Sequence, residues 1–203
     1  MNIISIEGAD GSGKSTISSI LYNKLKSSGK NVEKYHEPLF FTEEIYNTDI
    51  SNSKYLFLLF LTSRKKLIQN IKSEKNKILI FDRYIDSTVV YQVLFEKVID
   101  FNTFIHLHKE IIFEGKDLFP DITFILEANI DDLKKRIIQK NRSKLFDKSN
   151  IEYIQDLYRK LPYLFSNRIF YFFNTSENSP EYVANQILKI INRKILIGGK
   201  NGI

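Results

Sequence analysis

Cysteine is absent from the 203 residues of this chain, tryptophan is absent as well, and methionine occurs once. Without cysteine the protein can form no disulfide, carries no thiol nucleophile and cannot hold a metal through thiolates. Histidine is also scarce, and the scattered His36, His106 and His108 make a poor zinc-ligand set. The composition therefore excludes a disulfide scaffold, thiol catalysis and a cysteine-based metal centre.

Long hydrophobic runs are missing too, because no apolar stretch approaches the roughly 20 residues that span a membrane. No signal peptide precedes the first predicted strand. Hydrophobic residues nevertheless make up 43% of the chain, with 16 Phe and 11 Tyr, which is typical of a globular protein. We therefore expect a soluble, cytoplasmic protein that has no membrane partner.

Acidic residues are in the minority: the chain has 24 acidic and 30 basic residues, which gives a formal net charge of +6. Such a surplus can attract nucleic acid, membranes or small anionic substrates. The lysines, however, are scattered between apolar residues at helical spacing, which is typical of solvated helix faces. We expect no stable nucleic-acid partner, and an incidental attraction for phosphates.

Short apolar runs alternate with amphipathic helical patterns along the whole chain. We predict five strands, at residues 2–7, 32–35, 78–81, 121–127 and 169–173, and the clearest helices at 15–27 and 54–72. This alternation predicts an α/β fold of three layers, in which helices flank a parallel five-stranded sheet. We expect one domain over residues 1–203, a flexible tail at 195–203, and a ligand site beyond the carboxyl ends of the strands.

A glycine-rich motif, GxxxxGKS, joins the first strand to the first helix. Glycines allow backbone N–H groups to turn inward around phosphates, and the start of a helix adds positive potential. Lys14 would neutralise the β and γ phosphates, and Ser15 can ligate Mg²⁺. The motif predicts a P-loop NTPase fold whose ATP-binding residues are Gly8, Ala9, Asp10, Gly11, Ser12, Gly13, Lys14, Ser15 and Thr16.

An acidic residue follows the buried apolar run at 78–81. Asp82 ends this predicted strand, where its carboxylate would face the Mg²⁺ ion and its shell, as the acidic residue of P-loop enzymes does. Ser15 and Asp82 are therefore the predicted metal residues, and Mg²⁺ is the predicted cofactor.

Residues 7–16 read EGADGSGKST and resemble the opening EGxDGxGKST of the thymidylate kinase family, and the resemblance runs from Ile3 to about Leu188. It implies a homodimeric kinase that moves the γ-phosphoryl group of ATP to dTMP and yields dTDP for dTTP synthesis. It also implies that Asp10 lies near the 3′-hydroxyl of the acceptor sugar.

Two further segments carry the resemblance. LLFLTSR, which ends at Arg64, is similar to the LLFxAxR helix, and this implies that Phe60 stacks on thymine while Arg64 donates to its O4. Asp82-Arg83-Tyr84 and the residues after it resemble the DRY segment with its S-x-x-x-Y continuation. By this resemblance Arg83 contacts the acceptor phosphate, and the remaining dTMP-binding residues are Ser87, Thr88 near thymine N3, Tyr91 where a 2′-hydroxyl would project, and Gln92.

The segment LKKRI at 133–137 resembles the entry to the lid of the family, and we place a short lid at about 139–149. Gly11 stands where some members carry an arginine in the P-loop, so a lid arginine must supply the transition-state charge. Arg142 is our choice, which makes Lys14, Arg83 and Arg142 the predicted catalytic residues. Arg136 joins the predicted ATP-binding set.

One segment departs from the family pattern. His36-Glu37-Pro38 is similar to the REP segment of some members but has His36 in the arginine's place, which leaves one phosphate contact open. Glu37-Pro38 also resembles the catalytic carboxylate of deoxynucleoside kinases, although those usually show ER-S where this chain has Asp82-Arg83-Tyr84. A deoxynucleoside kinase and a non-catalytic nucleotide sensor remain alternatives. Phe60, Arg64 and Thr88 argue against the sensor, because a sensor needs no second nucleotide pocket.

Overall fold

A computed structural model describes residues 1–49, 51–71, 76–139 and 150–196. All strands in this part of the chain belong to a five-stranded sheet of order β2-β3-β1-β4-β5, in which every neighbouring pair is parallel. The strands are β1 (Asn2–Glu7), β2 (Val32–His36), β3 (Ile78–Asp82), β4 (Ile122–Glu127) and β5 (Ile169–Asn174). The predicted parallel sheet is therefore confirmed, and each predicted strand lies within a residue of its observed bounds.

Helices connect the strands in chain order. They are α1 (Lys14–Ser27), α2 (Thr42–Asn47), α3 (Ser53–Asn70), α4 (Ile85–Thr88), α5 (Phe101–Leu107), α6 (Ile130–Gln139), α7 (Ile151–Leu164) and α8 (Pro180–Ile191). Helix α4 continues into a π-helical segment, Val89–Phe95, and α5 continues into another, His108–Ile112. The predicted helices at 15–27 and 54–72 correspond to α1 and α3.

The central strands alternate between two cores. On β3, Ile78 and Ile80 pack with α1 and α8 on one face, whereas Leu79 and Phe81 pack with α3 and α7 on the other. Successive side chains of a strand point to opposite faces, so a strand covered on both sides must be apolar throughout. This requirement explains the continuous apolar runs in the sequence and produces the three layers.

The register of the sheet brings three strand ends together. Ile6 on β1 pairs with Asp82 on β3, and His36 on β2 pairs with the same aspartate. The segments that follow these strands are the P-loop, the turn around Arg83, and the turn at Glu37. All three therefore begin at one edge of the sheet, as expected for ligand sites in parallel α/β folds.

A buried ion pair joins α4 to the start of β5. Arg168 donates to both carboxylate oxygens of Asp86 at 2.7 Å, and Thr123 donates to the same carboxylate at 2.9 Å. The side chain of Asp86 is fully buried, and that of Arg168 is 9% exposed. Phe165 and Phe170 lie against the guanidinium, with ring centroids at 4.4 and 5.0 Å.

Several expectations concern residues that the structure does not describe. Of the predicted lid at 139–149, only Gln139, the last residue of α6, lies within the described residues. The predicted flexible tail lies outside the described residues from residue 197 onward. The lid, the tail and the single-domain organisation stay predictions. Among the described helices, none is long and apolar enough to cross a membrane.

Candidate active site

The loop between β1 and α1 is shaped by its glycines. Gly8, Gly11 and Gly13 have φ angles of 137°, 82° and 94°, values that side-chain-bearing residues rarely adopt. A Cβ atom on Gly8 would lie 2.2 Å from the backbone oxygen of Leu126. The loop can therefore follow this path only with glycine at Gly8, as a phosphate cradle requires.

Lys14 lies inside the loop. Its Nζ donates to the backbone oxygens of Gly8 at 2.9 Å and Ala9 at 2.7 Å, and Ser12 Oγ is 3.5 Å away. Burial, and after it the charge of Arg83, lower the pKa of Lys14 to about 7 against the opposing effects of Asp10, Asp82 and Glu7. A bound phosphate would restore the full charge of Lys14, because a nearby anion favours the ammonium form.

Asp82 carries the features expected of a metal residue. Its side chain is 3% exposed, His36 Nδ1 is 3.1 Å from its Oδ2, and its Oδ1 is buried without a hydrogen-bond partner among the described residues. Burial alone would raise the pKa of Asp82, but His36, Ser15 and Lys14 together lower it to about 2. An ionised carboxylate with an unused oxygen beside Ser15 fits a Mg²⁺ ion, which binds through one or two carboxylates plus substrate phosphates.

Arg83 occupies an unusual backbone conformation directly after β3. Its φ angle is 68°, in the left-handed region, and its guanidinium pairs with the Asp10 carboxylate. The same guanidinium donates to Ser87 Oγ at 3.1 Å, with Tyr158 OH at 3.5 Å. The ring centroid of Tyr91 lies 5.7 Å from it. The predicted residues Asp10, Arg83, Ser87 and Tyr91 therefore form one cluster.

Arg64 is the centre of a second, deeper cluster, with only 1% of its side chain exposed. Its Nε and Nη2 donate to Glu37 at 2.5 to 3.1 Å, and Nη2 also donates to Thr88 Oγ1 at 2.9 Å. Burial would lower the pKa of Arg64, but Glu37 outweighs it and raises that pKa. The predicted base-contacting residues Arg64 and Thr88 are thus in direct contact.

His108 completes the Arg64 cluster. Its Nδ1 lies 2.9 Å from the backbone oxygen of Phe104, so Nδ1 carries the proton, and Nε2 accepts from Arg64 Nη1 at 2.9 Å. Burial and the charge of Arg64 lower the pKa of His108 to about 3. The imidazole is therefore neutral at physiological pH and serves as a hydrogen-bond acceptor.

The other predicted residues lie around these clusters. Phe60 is half-buried one turn before Arg64 and packs against Ile45, Leu56 and Leu59, while Gln92 is buried. Arg136 donates to the backbone oxygen of Gly11 at 3.3 Å and to Thr175 Oγ1 at 3.0 Å. Thr16 is exposed on α1. Arg142 lies outside the described residues.

Most of the residues predicted to bind phosphate or metal line one cleft. Its lining combines the P-loop, the ends of β2 and β3, and helix α6, through Asp10, Gly11, Gly13, Lys14, Ser15, His36, Asp82, Arg83, Arg136 and Ile137. Nine polar residues and glycines, together with the apolar Ile137, thus line the place that we predict for the phosphates of a nucleotide.

Four residues of the site were missed by the sequence reasoning. Glu7 is buried beside Ser87, Tyr158 contacts both Ser87 and Arg83, Thr175 binds Arg136, and His108 accepts from Arg64. A glutamate ending an apolar strand was an available signal for Glu7. Nothing local marked Tyr158 or Thr175, whose partners lie 71 and 39 residues away in sequence.

Comparison with known proteins places this chain in a family. The family model described as thymidylate kinase matches residues 6–187. Thymidylate kinase from Orientia tsutsugamushi is 30% identical and covers 96% of this chain and 94% of its own length. That from Rickettsia canadensis is 32% identical, with 82% and 85% covered.

Solved structures show the same fold. A thymidylate kinase from Ehrlichia chaffeensis has a TM-score of 0.69 at 23% identity, over 94% of this chain and 98% of that one. A deoxyadenosine kinase from M. mycoides with bound dCTP has a TM-score of 0.67 at 24% identity, over 94% and 99%. Fold alone therefore does not separate the two kinds of kinase. The family match over most of the chain does, and this protein belongs to the thymidylate kinase family.

Proposed function

We infer that this protein is an ATP-dependent thymidylate kinase, which transfers the γ-phosphoryl group of ATP to dTMP and releases dTDP. One observation carries the inference beyond family membership. Lys14 and Arg83 line the same cleft, Arg83 donates to Ser87, and the next residue, Thr88, belongs to the second polar cluster around Arg64. Two adjoining sites suit a donor and an acceptor nucleotide, whereas a nucleotide sensor needs only one.

The arrangement suits phosphoryl transfer to an anionic oxygen. A nucleoside monophosphate already presents a charged attacking oxygen, so catalysis reduces to in-line positioning and neutralisation of charge. We assign Lys14 to the β and γ phosphates of ATP and Arg83 to the acceptor phosphate. Asp10 pairs with Arg83 and so lies at the junction of the two sites, as its assignment to the acceptor sugar requires.

Mg²⁺ is the proposed cofactor, held by Asp82 and Ser15. The buried Asp82 Oδ1, which has no hydrogen-bond partner among the described residues, supports this assignment. When bound, the ion would neutralise negative charge on the transferring phosphoryl group. His36 holds the other oxygen of Asp82 and so orients the carboxylate.

The contacts of Arg64 support thymine as the acceptor base. A guanidinium has five N–H donors. Among the described contacts, Glu37, Thr88 and His108 take four of them and leave one on Nη1. We propose that this donor binds thymine O4, while Thr88 Oγ1 accepts from thymine N3. Phe60 lies one turn earlier on α3, where it can stack on the base.

Three further assignments rest on the family resemblance. Arg142, outside the described residues, is the proposed third catalytic group, since Gly11 has no side chain and Arg136 already binds Gly11 and Thr175. Tyr91 and Gln92 are proposed to line the sugar side of the acceptor site. A homodimer in the cytoplasm is the proposed assembly and location.

A coupled kinase assay across the nucleoside monophosphates and thymidine, with and without Mg²⁺, tests the proposed function. We expect dTMP to be the preferred acceptor and its turnover to require Mg²⁺. Preferential use of thymidine would instead identify a deoxynucleoside kinase. ATP binding without turnover of any acceptor would identify a nucleotide sensor.

Discrimination against dCMP follows from the Arg64 cluster. Cytosine carries an amine where thymine carries O4, so a donor would face the Arg64 donor, and both would stay unpaired. We expect dCMP to be disfavoured by at least about a hundredfold in kcat/KM. Arg64→Ala should reduce this ratio, and an unchanged ratio would remove Arg64 from base selection.

Thr88→Val provides a milder test of the same cluster. It removes the hydroxyl but leaves the Arg64–Glu37 ion pair in place, so the protein should remain folded. Lys65, the partly exposed residue next to Arg64, binds Glu114 and the backbone of Ile111 and offers the control Lys65→Ala. We expect Thr88→Val to weaken the preference for dTMP and Lys65→Ala to leave it unaltered.

A further inference from the structure

Glu7 is a fully buried carboxylate at the last position of β1. Its Oε1 accepts hydrogen bonds from Ser5 Oγ and from the backbone N–H of Tyr84, both at 2.7 Å. Its Oε2 accepts from Ser87 Oγ at 2.6 Å. The next residue along the chain is Gly8, which opens the P-loop. None of the roles assigned so far uses this carboxylate.

The first consequence concerns the backbone around Arg83. A left-handed conformation is unfavourable for a residue other than glycine, so the surroundings of Arg83 must hold it in place. The backbone N–H of Arg83 donates to the backbone oxygen of Ile6 at 3.1 Å, and that of Tyr84 donates to Glu7. The end of β1 therefore holds both amides of this turn.

The second consequence concerns the guanidinium of Arg83. The hydroxyl of Ser87 has one proton, which it donates to Glu7, so a lone pair of the same oxygen remains for Arg83 Nη1. The carboxylate thus sets the direction of the hydroxyl that supports the guanidinium. Glu7 acts on Arg83 at both ends, through the backbone and through Ser87.

We propose that Glu7 is a positioning residue, which aligns the acceptor-binding Arg83 with the P-loop that starts at the following residue. This inference rests on the proposed role of Arg83 at the acceptor phosphate. The connection between the two sites is short, because the end of β1 carries both the start of the P-loop, at Gly8, and the carboxylate of Glu7, which orients Arg83. A misplacement of about 1 Å in such a site can cost on the order of a hundredfold in rate.

The charge of Glu7 is not retained for stability. Burial, and after it the charge of Asp86, raise the pKa of Glu7 to about 7 against the opposing effects of Ser87, Ser5 and Arg83. A carboxyl group whose folded pKa exceeds its unfolded value favours the folded state at low pH, and this contribution is lost as the pH rises through about 7. A neutral side chain of the same shape should therefore be tolerated.

Glu7→Gln tests the proposal at pH 8, with the Tm and the two KM values as readouts. The amide has one acceptor oxygen and one N–H₂ group, so it cannot accept from both Tyr84 and Ser87. We expect a Tm that is unchanged or higher, a KM for dTMP raised about tenfold, and a KM for ATP within about twofold of native. Ser5→Ala removes only the Ser5 hydrogen bond to Oε1 and leaves those from Tyr84 and Ser87 in place, so it should leave both KM values near native.

Ser87→Ala breaks the same link from its other end, and because Ser87 is itself a predicted dTMP-binding residue, the double variant with Glu7→Gln provides the deciding comparison. It should also raise the KM for dTMP alone, and the double variant should show little further loss. Additive losses, a native KM for dTMP, or equal changes for ATP together with a lowered Tm would overturn the proposal. Arg83→Ala distinguishes the proposed role of Arg83 from the positioning role of Glu7. If Arg83→Ala leaves the KM for dTMP native, the assigned role of Arg83 is wrong. If Arg83→Ala raises this KM but Glu7→Gln does not, only the positioning role of Glu7 is wrong.

Discussion

Lys14→Ala should abolish nearly all phosphoryl transfer, with kcat/KM reduced by about a thousandfold or more, which corresponds to several kcal/mol of transition-state stabilisation. The ammonium of Lys14 lies inside the P-loop, bound to the backbone oxygens of Gly8 and Ala9. Because Lys14 is only 6% exposed, its charge acts on phosphate oxygens with little screening by water. Steady-state kinetics with ATP and dTMP provide the measurement.

Lys24→Ala is the matched control for this variant. Lys24 lies on the same helix, pairs with Glu181 at the surface, and has no role in the cleft. Its loss should leave kcat/KM within about twofold of native because Lys24 does not line the cleft, and should cost about 0–1 kcal/mol of stability. More than a tenth of the native activity in Lys14→Ala would contradict the assigned role of Lys14.

Arg168→Met should destabilise the protein by about 3–5 kcal/mol, because it leaves the fully buried carboxylate of Asp86 without its counter-charge. For a chain of this size, such a loss lowers the Tm by roughly 6–20 °C. Chemical denaturation and thermal melting at neutral pH measure the effect.

Two further variants define the cause of that loss. The double change Asp86→Asn with Arg168→Met removes both charges and should recover part of the stability. Arg159→Met removes an arginine that is about half exposed and pairs with Glu127 and Asp156, so we expect a loss below about 1 kcal/mol. If Arg159→Met cost as much as Arg168→Met, burial of the ion pair would not be the cause.

Much of the fold could be predicted from the sequence because its signals are local. A strand covered by helices on both faces must be apolar throughout, so Ile78 to Phe81 stood out as a continuous run. Helix α3 was visible from its periodic apolar face. The order of the strands was not predicted, because pairing depends on which crossovers the helices make, and no local pattern encodes that.

The candidate site divides in the same way. The P-loop is a contiguous motif whose glycines, Lys14 and Ser15 each meet a local requirement, so the sequence by itself determined the donor site. The location of Asp82 beside the P-loop could be expected, because this residue ends a buried strand. The positions of Asp10 and Arg83 also followed from segments that resemble the family, although their direct ion pair did not.

Only the tertiary structure decided which distant groups act on these residues. Glu7 meets Tyr84 and Ser87 across 77 and 80 residues of sequence, and Arg64 meets Glu37 and His108 across 27 and 44. Such pairs exist because burial leaves a charge or an N–H group in need of a partner, and packing, not sequence proximity, supplies the nearest one. The sequence therefore determined the residues that we propose to bind phosphate, and the tertiary structure determined which buried carboxylates and which imidazole support Arg64 and Arg83.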